Sequence, residues 1–133
     1  MGSFLHGKNI LITGGSGSIG ESLTKRAISD GARLIRVFSN DENGLYEMES
    51  EYENHKNIEY VIGDIQNPEI VSEIVKGIDI VIHAAALKHV DRCELNPLET
   101  INVNIMGTKN IIKAAKKEKI QKMIFISTDK AVN

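Results

Sequence analysis

The chain has 133 residues and one cysteine, Cys93, so it cannot form an internal disulfide bond. It contains no run of about eighteen apolar residues, and the sequence therefore predicts no membrane-spanning helix. The N-terminal segment Met1–Asn9 lacks the apolar stretch of a signal peptide. Together these absences favour the reducing cytoplasm and no membrane partner. Cys93 has no evident base near it in the sequence, so we do not assign it as a nucleophile.

The chain also lacks a large excess of one charge and a cluster of metal ligands. The formal net charge of −2 gives no reason to expect nucleic acid or an anionic membrane as a partner. A lysine cluster falls late in a predicted helix, where cations face solvent and suit the helix dipole. Its members are Lys113, Lys116, Lys117 and Lys119. His6 and His55 lack metal-ligand spacing, and no cysteine or carboxylate cluster completes a site, so we predict no metal.

Short β-rich runs alternate with longer helical patterns along the whole chain. The runs are brief and rich in Ile and Val, which is typical of strands buried on both faces of a parallel sheet. They are Asn9–Thr13, Arg33–Phe38, Ile58–Ile62, Ile80–His83 and Met123–Ile126. Parallel neighbours need right-handed crossovers. We therefore predict an α/β fold with a doubly wound parallel sheet of at least five strands, in the order 3-2-1-4-5.

Helical patterns fill the intervals between these runs. Ile19, Leu23 and Ala27 repeat every four residues and predict a first helix that buries this face and ends at Asp30-Gly31. The longest helix is predicted to begin at Asn96-Pro97, a capping residue followed by proline. Its predicted inward stripe is Leu98, Ile101, Ile105, Thr108, Ile112 and Ala115.

Two further helices are predicted. Pro68–Lys76 places its apolar residues on one side. The acidic segment Asp41–Asn54 predicts a surface helix whose narrow apolar face contains Leu45, Met48 and Tyr52.

The first strand runs directly into a glycine-rich turn and then into the first helix. Gly14 permits the tight turn, Gly17 lets the backbone approach a pyrophosphate, and Gly20 lets the helix pack against the strand. The start of the helix then points free N–H groups at the phosphates. We predict this turn as the phosphate-binding loop of a dinucleotide-binding Rossmann domain. The predicted loop consists of Thr13, Gly14, Gly15, Ser16, Gly17, Ser18, Ile19 and Gly20.

The spacing Gly-x-x-Gly-x-x-Gly after a threonine resembles the extended branch of the short-chain dehydrogenase/reductase superfamily. Asp64 and Ile65, which follow strand three, resemble the adenine contact of that family. The run after His83 resembles its cofactor-flanking small residues, here Ala84, Ala85 and Ala86. The segment from Asn104 to Thr108 resembles the family's Asn-Val-x-Gly-Thr helix, and this implies that Asn104 orders the backbone or a water near the cofactor.

The end of strand two bears on the choice of cofactor. Ser39 stands where an acidic residue would accept hydrogen bonds from the ribose hydroxyls of NAD, and this favours NADP. NADP-binding relatives often carry an arginine where this chain has Asn40, which cannot make the same charge-assisted bond to a 2′-phosphate. Asp41 could still reach a ribose hydroxyl. We therefore predict NADP as the preferred cofactor, with NAD as the alternative.

After strand five the sequence reads Thr128, Asp129 and Lys130, where dehydratases that retain the C5 configuration typically have Thr-Asp-Glu. With Lys88 and His89 upstream, this resembles the polysaccharide-biosynthesis branch, which includes inverting UDP-N-acetylglucosamine 4,6-dehydratases. The resemblance implies that Thr128 binds the C4 hydroxyl of the sugar, that Asp129 assists loss of water and that Lys130 transfers the C5 proton. Lys88 and His89 would contact the substrate.

Other interpretations remain open. Asp129 and Lys130 also fit a solvent-exposed turn with an ion pair, and Lys88 and His89 fit exposed loop residues. A nucleotide-sugar C4 or C5 epimerase and a non-catalytic dinucleotide-binding module are the alternative functions.

The family's Tyr-x-x-x-Lys motif is expected beyond Asn133, and we assign none of the chain's three tyrosines to it. The whole of residues 1–133 is thus predicted as the N-terminal part of an NAD(P)-binding domain, truncated after strand five and without its substrate domain. We expect these residues to bind cofactor without turnover. Relatives of this type commonly associate, so we expect a homo-oligomer, and the uncovered fifth strand could also pair through its edge.

Overall fold

The computed structural model of the protein describes residues 3–84 and 97–126, with residues 97–105 described as backbone only. Five parallel strands form one sheet in the order β3-β2-β1-β4-β5, which confirms the predicted topology. They are β1 (Asn9–Thr13), β2 (Leu34–Ser39), β3 (Ile58–Ile62), β4 (Ile80–His83) and β5 (Lys122–Phe125). β2 lies one residue later than predicted, and β5 one residue earlier.

Four helices connect these strands in the described ranges. They are α1 (Ser18–Ser29), α2 (Glu42–Glu51), α3 (Pro68–Ile74) and α4 (Pro97–Lys117). α1 and α2 cover one face of the sheet, and α3 and α4 cover the other. No helix of the described residues is long and apolar enough to cross a bilayer.

Alternate residues of the central strand supply the two cores, because successive side chains of a strand point to opposite faces. Ile10 and Ile12 pack in the core beneath α1 and α2, whereas Leu11 packs in the core beneath α3 and α4. All three side chains are fully buried. The continuous apolar composition of β1 is thus explained by burial on both faces.

Two predicted helix faces need correction. Ile19 is 40% exposed, whereas Gly20, Thr24 and Ala27 are buried, so the inward face of α1 is rotated from the predicted one. The reason is that Gly20 packs closely against the backbone of the glycine-rich loop, where a side chain would not fit.

In α4, Ala115 is buried as predicted, while Thr108 and Ile112 are half-buried. Ile111 and Ala114 are also buried, which the predicted stripe missed, because α4 packs against α3 as well as against the sheet. The side chains of the remaining stripe residues lie outside the described part of the chain.

The connections place a crevice at one edge of the sheet. The chain leaves β1 toward one face and leaves β4 toward the other, so the order of strands reverses between these two neighbours. Ligands of doubly wound sheets bind at such a switch point, outside the carboxyl ends of the strands. The glycine-rich loop follows β1 and therefore lies at this crevice.

Candidate functional site

The glycine-rich loop leaves β1 through a left-handed turn. Thr13 ends the strand with a fully buried side chain, and Gly14 follows with a φ of 67°, which a glycine adopts without strain. The Gly15 N–H donates to the carbonyl of Phe38 at 3.1 Å, and the Gly17 N–H donates to the carbonyl of Gly14 at 3.3 Å. The backbone of the loop is thus held against β2 and folded on itself.

The other glycines of the loop differ in what surrounds them. A Cβ at Gly15 would overlap the side chain of Val37 in β2. A Cβ at Gly20 would overlap the backbone of Gly15 and lie 2.6 Å from the carbonyl oxygen of Gly14. At Gly17 the nearest of these atoms, the carbonyl oxygen of Gly14, would be 3.7 Å away, an ordinary van der Waals contact, so a Cβ fits there without overlap. Gly20 therefore packs the helix against the loop, rather than directly against the strand as predicted.

The N-terminus of α1 has no side-chain cap among the described residues. Its N-cap is Gly17, whereas Asp41 caps α2 and Asn67 caps α3 through their side chains. The first N–H groups of a helix lack intrahelical partners and carry partial positive charge. The beginning of α1 is thus suited to an anion at the switch point.

A pair of hydroxyl groups joins the loop to the end of β2. Ser16 Oγ and Ser39 Oγ lie 2.7 Å apart, and the Asp41 N–H donates to Ser39 Oγ at 3.0 Å. Ser39 is only 2% exposed. The residue predicted to stand at the acidic position of NAD-binding domains is thus a buried, hydrogen-bonded hydroxyl.

Asp41 points its carboxylate at its own helix. Its Oδ1 accepts a hydrogen bond from the Gly44 N–H at 3.0 Å, which satisfies one free donor of α2. A Cβ at Gly44 would lie 2.9 Å from the Cβ of Ser16, so the start of α2 packs against the phosphate loop. Asn40 and Asp41 are exposed, and they border the crevice next to Ser39.

The predicted adenine contact lies in a tightly held loop after β3. The Gly63 N–H donates to the carbonyl of Ser39 at 3.0 Å, and Asp64 Oδ1 accepts from the Gln66 N–H at 2.8 Å. Asp64 is exposed, and Ile65 is half-buried.

Helix α4 supports this loop from behind. Asn110 Nδ2 donates to the carbonyl of Ile65 at 3.0 Å, and a Cβ at Gly107 would lie 2.6 Å from the Ile65 side chain. Sequence reasoning missed Asn110. Its signal is a polar residue on the buried side of an otherwise apolar helix face.

A buried histidine lies on the β4 side of the loop. His83 is 2% exposed, and burial lowers its pKa from 6.5 to about 4, so the imidazole is neutral. Its Nδ1 lies 2.6 Å from Thr13 Oγ1 and its Nε2 lies 3.3 Å from Thr108 Oγ1. The Ala84 N–H also donates to Thr13 Oγ1, at 3.2 Å. The ring is edge-on to Phe125 of β5.

The structure thus brings several predicted cofactor residues to one edge of the sheet. Each of these residues ends or follows one of four neighbouring parallel strands. They are the loop from Thr13 to Gly20, Ser39 to Asp41, Asp64 with Ile65, and Ala84. The other predicted positions lie outside the described residues, apart from the backbone of Asn104 in α4. They are Ala85, Ala86, Lys88, His89, Thr128, Asp129 and Lys130, together with the side chain of Asn104.

One tyrosine of the chain has a lysine at the spacing of the family's Tyr-x-x-x-Lys motif. Tyr52 is followed four residues later by Lys56, so the chain does contain the Tyr-x-x-x-Lys spacing. Tyr52 lies after α2, at the opposite end of the sheet from the glycine loop, and it is 8% exposed. Burial raises its pKa to about 12, the reverse of what a proton-transferring tyrosine needs. The spacing is therefore coincidental, and Tyr52 belongs to the core beneath α2.

Among the described residues, no group of three or more His, Cys, Asp or Glu side chains is arranged to hold a metal ion.

A doubly wound sheet with a glycine-rich loop at its switch point defines a Rossmann domain, here of the extended short-chain dehydrogenase/reductase type. The chain belongs to the polysaccharide biosynthesis protein family, whose model matches residues 10–133.

Two curated relatives share more than two fifths of the aligned residues. An uncharacterized membrane protein of Methanocaldococcus jannaschii is 44% identical over 131 residues, and a UDP-glucose 4-epimerase of Rickettsia bellii is 43% identical over 129 residues. The alignments cover 98% and 94% of this chain, but 39% and 38% of the relatives. The chain thus spans about two fifths of the length of these proteins.

Solved structures show the same relationship. Pen from Bacillus thuringiensis is 42% identical with a TM-score of 0.89, over 98% of this chain and 40% of that protein. A UDP-N-acetylglucosamine 4-epimerase from Methanobrevibacter ruminantium M1, solved with UDP-N-acetylmuramic acid, is 31% identical with a TM-score of 0.77, over 92% and 38%. Three structures at 20–24% identity share the fold and hold NAD.

Proposed function

We propose that the carboxyl edge of this sheet binds a nicotinamide dinucleotide, NADP in preference to NAD. The observation that carries the proposal is the phosphate loop at the switch point. Gly17 has no Cβ to stand between the loop backbone and a phosphate, and the helix behind it begins without a side-chain cap among the described residues. The pyrophosphate would lie on this loop, the ribose beside Ser39, and the adenine beside Asp64.

The preference for NADP rests on the end of β2. Ser39 presents a neutral hydroxyl where NAD-binding domains present a carboxylate, so a 2′-phosphate meets no buried charge there. Asp41 is the acidic group nearby in sequence, and its Oδ1 accepts from the Gly44 N–H. Its negative charge still opposes a phosphate, and NAD is the alternative that it favours.

The cofactor proposal is tested by titrating the full-length protein with NADP and with NAD. We expect NADP to bind more tightly, and tenfold tighter binding of NAD would refute the preference. Asp41→Asn is the informative variant, because asparagine caps a helix as well as aspartate does but carries no charge. It should tighten NADP binding and leave NAD binding unchanged if the 2′-phosphate lies at this corner.

For the full-length protein, we propose a nucleotide-sugar 4,6-dehydratase acting on a UDP-N-acetylhexosamine. When bound, the cofactor supplies reversible hydride transfer at the sugar. In this proposal Thr128 binds the C4 hydroxyl, Lys130 takes the proton from C5, and Asp129 protonates the C6 hydroxyl so that it leaves as water. Lys88 and His89 contact the substrate. Family membership supports nucleotide-sugar chemistry, and the resemblance of the Asp129-Lys130 pair supports dehydration.

A nucleotide-sugar epimerase is the second candidate, because relatives at 43% and 31% identity are 4-epimerases of UDP-sugars. Incubation of the full-length protein with UDP-N-acetylglucosamine and cofactor separates the two. A 4-keto-6-deoxy product identifies a dehydratase, whereas an isomer of unchanged mass identifies an epimerase. Absence of both products, with cofactor bound, would instead favour a dinucleotide-binding module.

Location and assembly are part of the proposal. The single cysteine supports a cytoplasmic location, because such a chain has no internal disulfide to preserve. A homo-oligomer is proposed from the resemblance alone, and light scattering of the full-length protein measures it. A monomeric mass at micromolar concentration would refute it.

A further inference from the structure

The phosphate loop contacts both neighbouring strands, β2 and β4. On the β2 side, Gly15 donates to the carbonyl of Phe38 and Ser16 pairs with Ser39. On the β4 side, the contact is made by the first residue of the loop, where the Thr13 hydroxyl meets the imidazole of His83 at 2.6 Å. The residue at which the loop begins is thus in contact with a side chain of another strand.

The order of donation in this contact depends on the tautomer of His83. The Ala84 N–H is shared between Thr13 Oγ1 at 3.2 Å and the Thr13 carbonyl at 3.1 Å, and the hydroxyl hydrogen of Thr13 can donate to His83 Nδ1. In the tautomer that accepts this hydrogen bond, the ring hydrogen is on Nε2, which faces Thr108 Oγ1 at 3.3 Å. Both nitrogens of the neutral ring have partners, and the ring links β1 to α4.

We propose that His83 is a positioning residue for the cofactor's pyrophosphate, acting through Thr13 on the backbone from which Gly14 turns. The proposal rests on the cofactor binding proposed above. Thr13 is fully buried and His83 is 2% exposed, so the pair lies beneath the loop rather than among its surface contacts. Its contribution is to hold the donors of the loop in the geometry that the phosphates need.

The first test removes one hydroxyl from each side of the same ring, in the full-length protein. Thr13→Val removes the hydroxyl partner of His83 Nδ1, and Thr108→Val removes the hydroxyl partner of His83 Nε2, with little change of shape in either. A hydrogen bond of about 1 kcal/mol corresponds to roughly a fivefold change in affinity. We expect Thr13→Val to weaken NADP binding about three- to tenfold, and Thr108→Val to change it less than twofold.

The second test uses two amide side chains, each of which replaces one nitrogen of the His83 imidazole. In His83→Asn the side-chain oxygen replaces Nδ1 and accepts from Thr13, whereas in His83→Gln the terminal amide replaces Nε2 and donates to Thr108. We expect asparagine to preserve the affinity for NADP and glutamine to weaken it as Thr13→Val does. Urea unfolding of both variants tests whether they are equally stable, and the threonine pair decides the question if a His83 variant does not fold.

A third readout needs no cofactor, so it separates this proposal from the proposed function. Hydrogen exchange at the amides of Gly15 and Gly17 should accelerate in Thr13→Val and His83→Gln, and stay near wild type in Thr108→Val and His83→Asn. Equal exchange rates and equal affinities within both pairs would overturn the positioning role. Failure of the wild-type protein to bind either nucleotide, with the exchange pattern as expected, would overturn only the proposed function.

Discussion

The glycines of the phosphate loop are required for different reasons, although the sequence presents them as one motif. Gly14 has the positive φ of the turn, Gly15 and Gly20 have no room for a Cβ, and Gly17 has ample room. The first three therefore maintain the shape of the loop. Gly17 is the one whose Cβ would instead project into the space proposed for the ligand.

This difference predicts opposite results for the same substitution at two positions. Gly20→Ala should destabilise the fold by about 1–3 kcal/mol, because the added methyl overlaps the backbone of Gly15. Gly17→Ala should leave the unfolding free energy nearly unchanged and weaken NADP binding about tenfold or more, because the methyl occupies the proposed place of the pyrophosphate. Urea denaturation and cofactor titration measure the two effects. Wild-type affinity in Gly17→Ala would contradict the proposed position of the phosphates.

The function of individual residues was predictable only where it depends on local sequence. The spacing of Gly14, Gly17 and Gly20 identifies the loop, because all three are neighbours in the chain. The contact of Gly15 with Val37 and the bond of Asn110 to Ile65 join residues far apart in sequence, so no local pattern indicates the partner of either residue.

At the scale of the elements, Arg36 joins β2 to the end of α3 by hydrogen bonds that helix propensity does not indicate. It lies in β2, yet its Nη1 donates to the carbonyls of Ile74 at 2.7 Å and Lys76 at 2.9 Å, at the end of α3. Its Nε donates to the Glu59 carboxylate at 2.7 Å. The last carbonyls of a helix lack intrahelical partners, so the guanidinium supplies hydrogen-bond donors to the C-terminal end of α3 from the neighbouring sheet.

Arg36→Met should therefore lower the unfolding free energy by about 1.5–3 kcal/mol, the usual contribution of hydrogen bonds to a charged group. Glu59→Gln is the control, because Glu59 is half-exposed and its ion pair should contribute about 1 kcal/mol or less. Cofactor affinity should be unchanged in both variants, since α3 ends at the edge of the sheet opposite the phosphate loop. An equal loss of stability in the two variants would assign the effect to the ion pair instead.

Helix faces were harder to predict than strands. β1, β3 and β4 have the predicted bounds, because each is a short run with Ile, Val or Leu at most positions, whichever face those residues take. The buried face of α1 depends on how the helix begins against the loop. Because Gly20 packs on the loop backbone there, the more hydrophobic Ile19 is 40% exposed.

At the scale of the whole molecule, the two edges of the sheet have different roles. The carboxyl edge contains the loop after β1, the end of β2 and the loop after β3, which the glycine motif and the family resemblance had singled out and which the topology brings to one edge. The opposite edge contains Tyr52, whose Tyr-x-x-x-Lys spacing has no functional meaning at that place. Sequence spacing is thus informative only together with the edge on which it falls.

The buried imidazole at the centre of the carboxyl edge should make the stability of the whole fold depend on pH. Burial lowers the pKa of His83 to about 4, whereas in the unfolded chain it returns to its ordinary value of 6.5. Above pH 6.5 the ring is neutral in both states, and its contribution to the pH dependence is nil. As the pH falls from 6.5 to 4, the unfolded state takes up the proton first, so the unfolding free energy decreases by about 1.4 kcal/mol per pH unit.

Asp30 affects the unfolding free energy in a separate pH range. The hydrogen bond from Ser3 is the first cause that lowers its pKa, so its contribution to stability is lost only as the pH falls below 3.8. Urea unfolding of the wild type and His83→Asn between pH 7 and pH 4.5 isolates the imidazole, since asparagine keeps a polar partner for Thr13 and does not titrate. The difference in unfolding free energy between the two proteins should shrink steadily as the medium is acidified. Parallel curves would mean that the protonated ring is accommodated in the fold, and that the network of Thr13, His83 and Thr108 tolerates a charge.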